Sequence, residues 1–224
     1  SSDVCSSDLS SGLGRRAALT LARAGAKVVG VARRWDALDG LCAEIGAACV
    51  GVDADVADRE ALGATVTRIS DPFGAPDILI NAAGLNTREA ADEVTDQGWD
   101  ATLAVNLSAP FFLAQKLIPA MQEREWGRIV NFASLQSFRA FPGGISYGAT
   151  KGAVTQMTRA MAEAWSGQGI TANAIGPGFF QTELTAAVFN DDARAARNAA
   201  QTCIGRNGRP EDMDGPILFL CSEA

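Results

Sequence analysis

Short apolar, β-branched-rich runs alternate along this chain with stretches whose apolar residues recur every three or four positions. The runs at 27–32, 48–52, 77–81, 128–132 and 171–175 are short and apolar throughout, as expected of strands buried on both faces. The helical pattern covers 13–24, 35–45, 58–69, 96–122 in two pieces, and 145–166. Gly25 stands where the first helix needs a cap, and Gly74–Pro76 and Gly176–Gly178 mark further joints. Strand–helix alternation of this kind predicts an α/β fold: a doubly wound parallel sheet with helices on both faces and right-handed crossovers. Ligands of such sheets bind at the carboxyl ends of the strands, so those ends are where chemistry is sought.

Composition narrows the choice. The chain has 224 residues, 47% of them apolar, enough to bury the core of one α/β domain. A net charge of −7 without a basic cluster argues against nucleic acid or an anionic membrane as partner. No uninterrupted apolar run reaches the length of a membrane span, and the Ser/Asp-rich start does not resemble a signal peptide. Cys5, Cys42, Cys49, Cys203 and Cys221 are scattered and odd in number, which reads as reduced, mostly buried thiols of a cytoplasmic protein. The absence of histidine removes His-based triads and most zinc sites. No metal site is expected, and acid–base chemistry falls to Tyr, Lys, Asp, Glu or Cys.

Two segments carry chemistry. Ser10-Ser11-Gly12-Leu13-Gly14 opens the first helix, where glycines let the backbone approach a pyrophosphate at a helix N-terminus. Tyr147-Gly148-Ala149-Thr150-Lys151 puts the only tyrosine of the chain on the same helix face as a lysine four residues on. An ammonium beside a phenol favours the phenolate and suits the tyrosine to proton transfer near neutral pH. Ser134 lies just beyond the run 128–132, Asn81-Ala82-Ala83-Gly84 ends another run, Asn106 sits within a helical stretch, and Pro177-Gly178 follows the last run with Thr182 close behind.

Taken in this order and spacing, these motifs resemble the short-chain dehydrogenase/reductase family, of the compact single-domain Rossmann type, from Ser10 to the end. The resemblance implies that Tyr147 is the general acid in reduction and the base in oxidation. Lys151 would lower the tyrosine pKa and hold the nicotinamide ribose, Ser134 would hold the substrate oxygen, and Asn106 would anchor a proton-relay water. Ser10, Ser11, Gly12, Leu13 and Gly14 would carry the pyrophosphate, Asp55 with Val56 would meet the adenine, Asn81–Gly84 would line the cofactor, and Pro177, Gly178 and Thr182 would contact the nicotinamide end. Asp55 is equally readable as a helix cap and Asn106 as a backbone-bonded polar residue inside a helix.

Arg33-Arg34 stand at the end of the run 27–32, where an acidic residue would read the ribose hydroxyls of NAD. A guanidinium grips a 2′-phosphate bidentately, which points to NADP(H) over NAD(H); the alternative is a solvated turn. Gln136 and Arg139 follow Ser134, and Asn86 and Arg88 follow the Asn81–Gly84 turn; Gln136 and one of the arginines suit a hydroxylated, carboxylated substrate, the alternative being that both arginines make surface salt bridges, and the stretch from Ser134 through Phe180 is similar to gluconate 5-dehydrogenase-like members. The expected activity is hydride transfer between NADP(H) and a small-molecule carbonyl or secondary alcohol, a sugar acid or polyol. The alternatives are a 3-oxoacyl thioester reductase and, in another class, a non-catalytic dinucleotide-binding sensor or scaffold. The resemblance further implies a homotetramer built on helices 106–122 and 145–166.

The start departs from the family pattern. Aligned on Gly12 and Gly14, the Thr and first Gly of the glycine motif are Ser7 and Asp8, and a carboxylate at 8 would face the pyrophosphate. Residues 1–9 are Ser- and Asp-rich where an apolar strand is expected, and they back-translate codon by codon to a sequencing adapter (AGT TCA GAC GTG TGC TCT TCC GAT CT). The reading is a non-native segment 1–9 ahead of a truncated single domain, 10–224, lacking a native first strand and the last strand. Val4 and Cys5 are expected to fill the first-strand gap in part, with weak folding and weak cofactor binding as the consequence.

Overall fold

The computed structural model describes residues 3–7 and 12–224. Among them, six parallel strands form one sheet in the order β3-β2-β1-β4-β5-β6. The strands are β1 (Asp3–Ser7), β2 (Lys27–Ala32), β3 (Cys49–Asp53), β4 (Ile78–Asn81), β5 (Gly127–Phe132) and β6 (Ile170–Ile175). The helices are α1 (Gly12–Arg23), α2 (Trp35–Ile45), α3 (Leu62–Ser70), α4 (Asp96–Leu103), α5 (Ala109–Glu123), α6 (Ile145–Trp165), α7 (Ala186–Phe189), α8 (Asp192–Ala200) and α9 (Asp214–Leu220). The order reverses between β1 and β4, and that switch point opens a crevice at the strands' carboxyl ends.

Two apolar layers flank the sheet. One packs α1 and α9 on Val4, Val28, Ile78, Ile80 and Val130; the other packs α3 and α5 on Cys5, Val29, Val31, Leu79 and Ile129. Alternate residues of a strand face opposite sides, so Val4 serves the first layer and Cys5 the second, both at 0% exposure. β1 thus fills the sheet centre, pairing Val4 with Val28 and Ile78, and Cys5 with Val29 and Leu79. The expected inward placement of Val4 and Cys5 is what the structure has. Asp8, Ser10 and Ser11 lie outside the described residues.

One sequence expectation is corrected. Cys42 and Cys49 are joined as a disulfide, not held as separate thiols. The short turn from α2 into β3 sets them side by side, with Cα atoms 4.9 Å apart. Cys5 and Cys221 are buried thiols whose pKa is pushed up to about 12 by desolvation, and Cys203 is exposed. The stretch read as helical in two pieces is α4 and α5, joined by the π-helical turn Ala104–Ser108. Taken together, Asp96–Glu123 is long and apolar enough by composition to cross a membrane. Its apolar face is used internally, with Leu113, Leu117, Ile118 and Met121 packed in the second core layer.

Candidate active site

β5 ends at Phe132, and its exit loop is stitched to that of β6: the Ala133 N–H donates to the Ile175 carbonyl (2.8 Å) and the Leu135 N–H to the Pro177 carbonyl (3.3 Å). This fixes Ser134 beside Pro177 at the strand ends. A 3-10 turn, Leu135–Ser137, follows, with the Ser134 side chain accepting the Gln136 N–H (3.1 Å). The Ser137 hydroxyl donates to the Lys151 carbonyl (2.7 Å), tying this turn to α6.

The first two turns of α6 bring up Tyr147 and Lys151, both buried. Ser134 lies close enough to Tyr147 to lower its pKa. The Lys151 ammonium lies 5.6 Å from the Tyr147 ring centre and donates to the Phe132 carbonyl (2.6 Å). Burial pushes the phenol pKa up, opposed by Ser134 and by the charge of Arg88. Burial lowers the Lys151 pKa to about 8. The cation whose charge lowers the Tyr147 pKa in this geometry is therefore Arg88, and not Lys151, to which the sequence pointed. Arg88 sits at φ +58° in the segment after β4 and donates to the Leu184 carbonyl, spanning the crevice.

Asn106 is buried within a π-helical turn, Ala104–Ser108, between α4 and α5. Such turns recur at functional sites. Its Oδ1 accepts the Leu85 N–H (2.7 Å), while its Nδ2 donates to the Leu85 carbonyl (2.8 Å) and the Thr150 hydroxyl (3.1 Å). It clamps the segment after β4 to α6, one residue from Lys151, and its side chain hydrogen-bonds Leu85 and Thr150 rather than Tyr147 or Lys151.

These groups line a cavity of ≈ 660 Å³. Gly12, Leu13, Gly14, Ala82, Gly84, Ser134, Tyr147, Lys151, Pro177, Gly178 and Thr182 all contribute to its wall. The segment Asn81–Gly84 divides: Ala82 and Gly84 face the cavity, whereas Ala83 packs in the core and the buried Asn81 donates to the Asn131 side chain (2.9 Å), steadying β4 on β5. Asp55 caps its own turn by accepting the Ala57 N–H (2.9 Å) and pairs with Arg33 at 3.8 Å; Val56 is core. Arg33 and Asp55 lie outside the cavity wall, on exposed surface beyond it.

Asn86, Arg88 and Gln136 also line it, and so do Phe141, Phe179, Leu184, Val188, Arg194, Arg197 and Asn198; Arg139 does not. Those from Leu184 on come from an excursion that leaves after Phe180 and returns to bridge it at Gly208, carrying α7 and α8. Its exposed amphipathic α8 could be recognised in sequence as a flap, but not which residues it turns inward. Phe141 and Phe179 meet edge to face at 6.0 Å.

Whether a dinucleotide fits can be judged from Gly12. It adopts φ +62°, and a Cβ there would lie 3.1 Å from Thr182 Cγ2. A backbone pinched this closely at a helix start, opening onto a cavity that ends at Tyr147 and Lys151, suits a pyrophosphate approached by main-chain N–H groups.

A family model described as enoyl-(acyl carrier protein) reductase matches residues 9–224. The chain belongs to the short-chain dehydrogenase/reductase family. A 2-dehydro-3-deoxy-D-gluconate 5-dehydrogenase of Pseudoalteromonas atlantica is 38% identical, the match covering 95% of this chain and 85% of that protein. A 3-oxoacyl-[acyl-carrier-protein] reductase of Vibrio cholerae is 32% identical over 95% of this chain and 86% of its own length. Among solved structures, a gluconate 5-dehydrogenase of Burkholderia cenocepacia in complex with NADP and tartrate superposes with a TM-score of 0.92 at 34% identity, covering 99% of this chain and 88% of that one.

Proposed function

We propose that this protein is an NADP(H)-dependent oxidoreductase that interconverts a ketone and a secondary alcohol on a hydroxylated, carboxylated substrate of the sugar-acid class. The observation that carries the reading is that Ser134, Tyr147 and the buried Lys151 share the wall of one cavity with three arginines, Arg88, Arg194 and Arg197, with Ser134 lowering the phenol's pKa. An anionic substrate is drawn to such a wall.

The bound cofactor supplies or accepts the hydride at the substrate carbon. In reduction, Tyr147 gives its proton to the carbonyl oxygen, which Ser134 holds; in oxidation the same phenol oxygen takes the proton back. Lys151, fixed by the Phe132 carbonyl, stabilises negative charge on that oxygen and would hold the nicotinamide ribose. Arg88 lowers the phenol's pKa from the opposite wall. Glycines 12 and 14, Thr182 and Pro177–Gly178 would take the pyrophosphate and nicotinamide, with Arg33 and Arg34 placed for the 2′-phosphate and Asp55 for the adenine.

A 3-oxoacyl thioester reductase is the second reading, favoured by the apolar wall of Leu135, Phe141, Phe179, Leu184 and Val188. Assay of NADPH oxidation with 5-keto-D-gluconate and with a 3-oxoacyl thioester decides between them; turnover of the thioester alone would overturn the sugar-acid reading. We also propose a homotetramer, supported by a groove lined by Leu107, Phe111, Phe112 and Met157 between α5 and α6. Light scattering of the purified chain tests it.

A further inference from the structure

Gln136 is not needed for the proton transfer just described, yet it is held beside it. Its main-chain N–H bonds the Ser134 hydroxyl, and its side chain lies against the first turn of α6, next to Tyr147. Two glycines leave room for it. A Cβ on Gly144 would stand 2.2 Å from Gln136 Oε1, and one on Gly148 would stand 3.5 Å away. Any larger residue at 144 would expel the carboxamide. Within this slot Oε1 is buried and has no hydrogen-bond partner. An unsatisfied buried carbonyl oxygen costs about 1–3 kcal/mol and calls for an explanation.

The other end of the carboxamide supplies one. Nε2 is not among the buried atoms, and no described residue bonds it, while the residue lines the cavity. In this orientation the amide presents its two N–H donors as the available end. Those donors need an acceptor oxygen, and Ser134 and Tyr147 already claim the reacting one. A substrate oxygen other than the reacting one is left to accept them.

We propose that Gln136 is a specificity-determining residue: its carboxamide N–H, held by the Gly144–Gly148 slot, bonds a hydroxyl on the carbon beside the reacting carbonyl. The site then takes α-hydroxy ketones in preference to ketones flanked by methylenes. A 5-keto sugar acid carries such hydroxyls on both sides of its carbonyl, whereas a 3-oxoacyl chain carries none. The inference rests on the oxidoreductase reading above and narrows its substrate.

The test compares 5-keto-D-gluconate with 5-oxohexanoate, which keeps the carboxylate and the C5 carbonyl and lacks every hydroxyl. The parent enzyme should favour the keto-gluconate in kcat/KM by about 100-fold or more, within the range for a site built to bond a hydroxyl. Gln136→Leu should cut kcat/KM for the keto-gluconate by about 10- to 100-fold and change 5-oxohexanoate by less than about threefold. Gly144→Ala, which leaves the amide in the chain but blocks its slot, should do the same; a thermal melt of each variant checks folding. Gluconate should raise the melting temperature of the parent with NADP and not that of Gln136→Leu. Unchanged substrate ratios in both variants, or a parent that reduces both ketones equally, would overturn the assignment while leaving the oxidoreductase reading intact. Absence of NADPH-dependent reduction of any carbonyl would instead remove the reading itself, and the assignment with it.

Discussion

The cavity and the surface beyond its wall are built on opposite principles. Inside, Tyr147 and Lys151 are only 7% and 3% exposed, Tyr147 beside Ser134 and Lys151 fixed by the Phe132 carbonyl. Beyond the wall, where we propose that the adenosine half binds, the arginine side chains at 33 and 34 are 71% and 54% exposed, and each faces a carboxylate: Arg33 with Asp55 at 3.8 Å, and Arg34 with Glu183 at 2.8 Å. Proton transfer needs groups desolvated and aimed in advance, because burial is what moves their pKa values. Phosphate recognition tolerates groups that are hydrated and exchange partners, since a guanidinium fork keeps its geometry whichever anion it meets. Variants at the buried end should accordingly change rate and pH behaviour, and variants at the exposed end should change cofactor affinity alone.

The sharpest break is expected from Tyr147→Phe. Losing the only proton donor at the substrate oxygen should lower kcat by about 100- to 10,000-fold. NADPH affinity, followed by fluorescence, should stay within about threefold. Loss of binding together with turnover would mean that the phenol is structural. The mirror-image variant, Arg33→Ala with Arg34→Ala, should weaken NADPH by about 10- to 100-fold, as expected for lost charge-assisted bonds to a phosphate, and leave NADH unchanged. Equal weakening of both nucleotides would reduce the pair to general surface charge.

How far the sequence disclosed this contrast depends on what each feature is made of. The convergence of Tyr147, Lys151 and Ser134 on one cavity was legible because their positions are set by local spacing: one helix turn, and one strand end. Five strands were legible from apolar runs, with shifts of one residue at their ends. β1 was the hard case. Asp3-Val4-Cys5-Ser6-Ser7 has poor strand propensity, but β2 and β4 both leave main-chain groups that only a central strand can pair, and that demand overrides propensity. The Cys42–Cys49 pairing and the inward side of α8 depend on how elements meet, which no periodicity within either element records. Arg88 stood in the sequence as a neighbour of the Asn81–Gly84 turn; its pull on Tyr147 is a fact of three-dimensional proximity.

A test of stability isolates the buried end further. Lys151 has a folded pKa near 8 against 10.5 for the free side chain, so the folded state carries the full burden of its charge below pH 8. Between about pH 8 and 10.5 the folded protein releases that proton before the unfolded chain does, and this relieves the parent but not a Lys151→Met variant. The melting temperature of the variant minus that of the parent should therefore fall by several degrees from pH 7 to pH 10. A pH-independent difference would mean that the Phe132 carbonyl offsets the desolvation of the ammonium.

The smallest effect expected belongs to Glu183, and it tests the exposed end most finely. Glu183 opens the flap one residue after Thr182, whose methyl group packs on Gly12, so the Arg34–Glu183 pair ties the flap to the cofactor cleft. A 2′-phosphate that recruits Arg34 has to displace this carboxylate. Exposed pairs of this kind are worth about 0–1 kcal/mol. Glu183→Gln should thus tighten NADPH by only about two- to fivefold, leave NADH unchanged, and lose its effect as salt screens the pair. Tightening of both nucleotides alike would place the effect in flap opening instead. Weaker NADPH binding would show that the carboxylate positions Arg34 for the phosphate and does not compete with it.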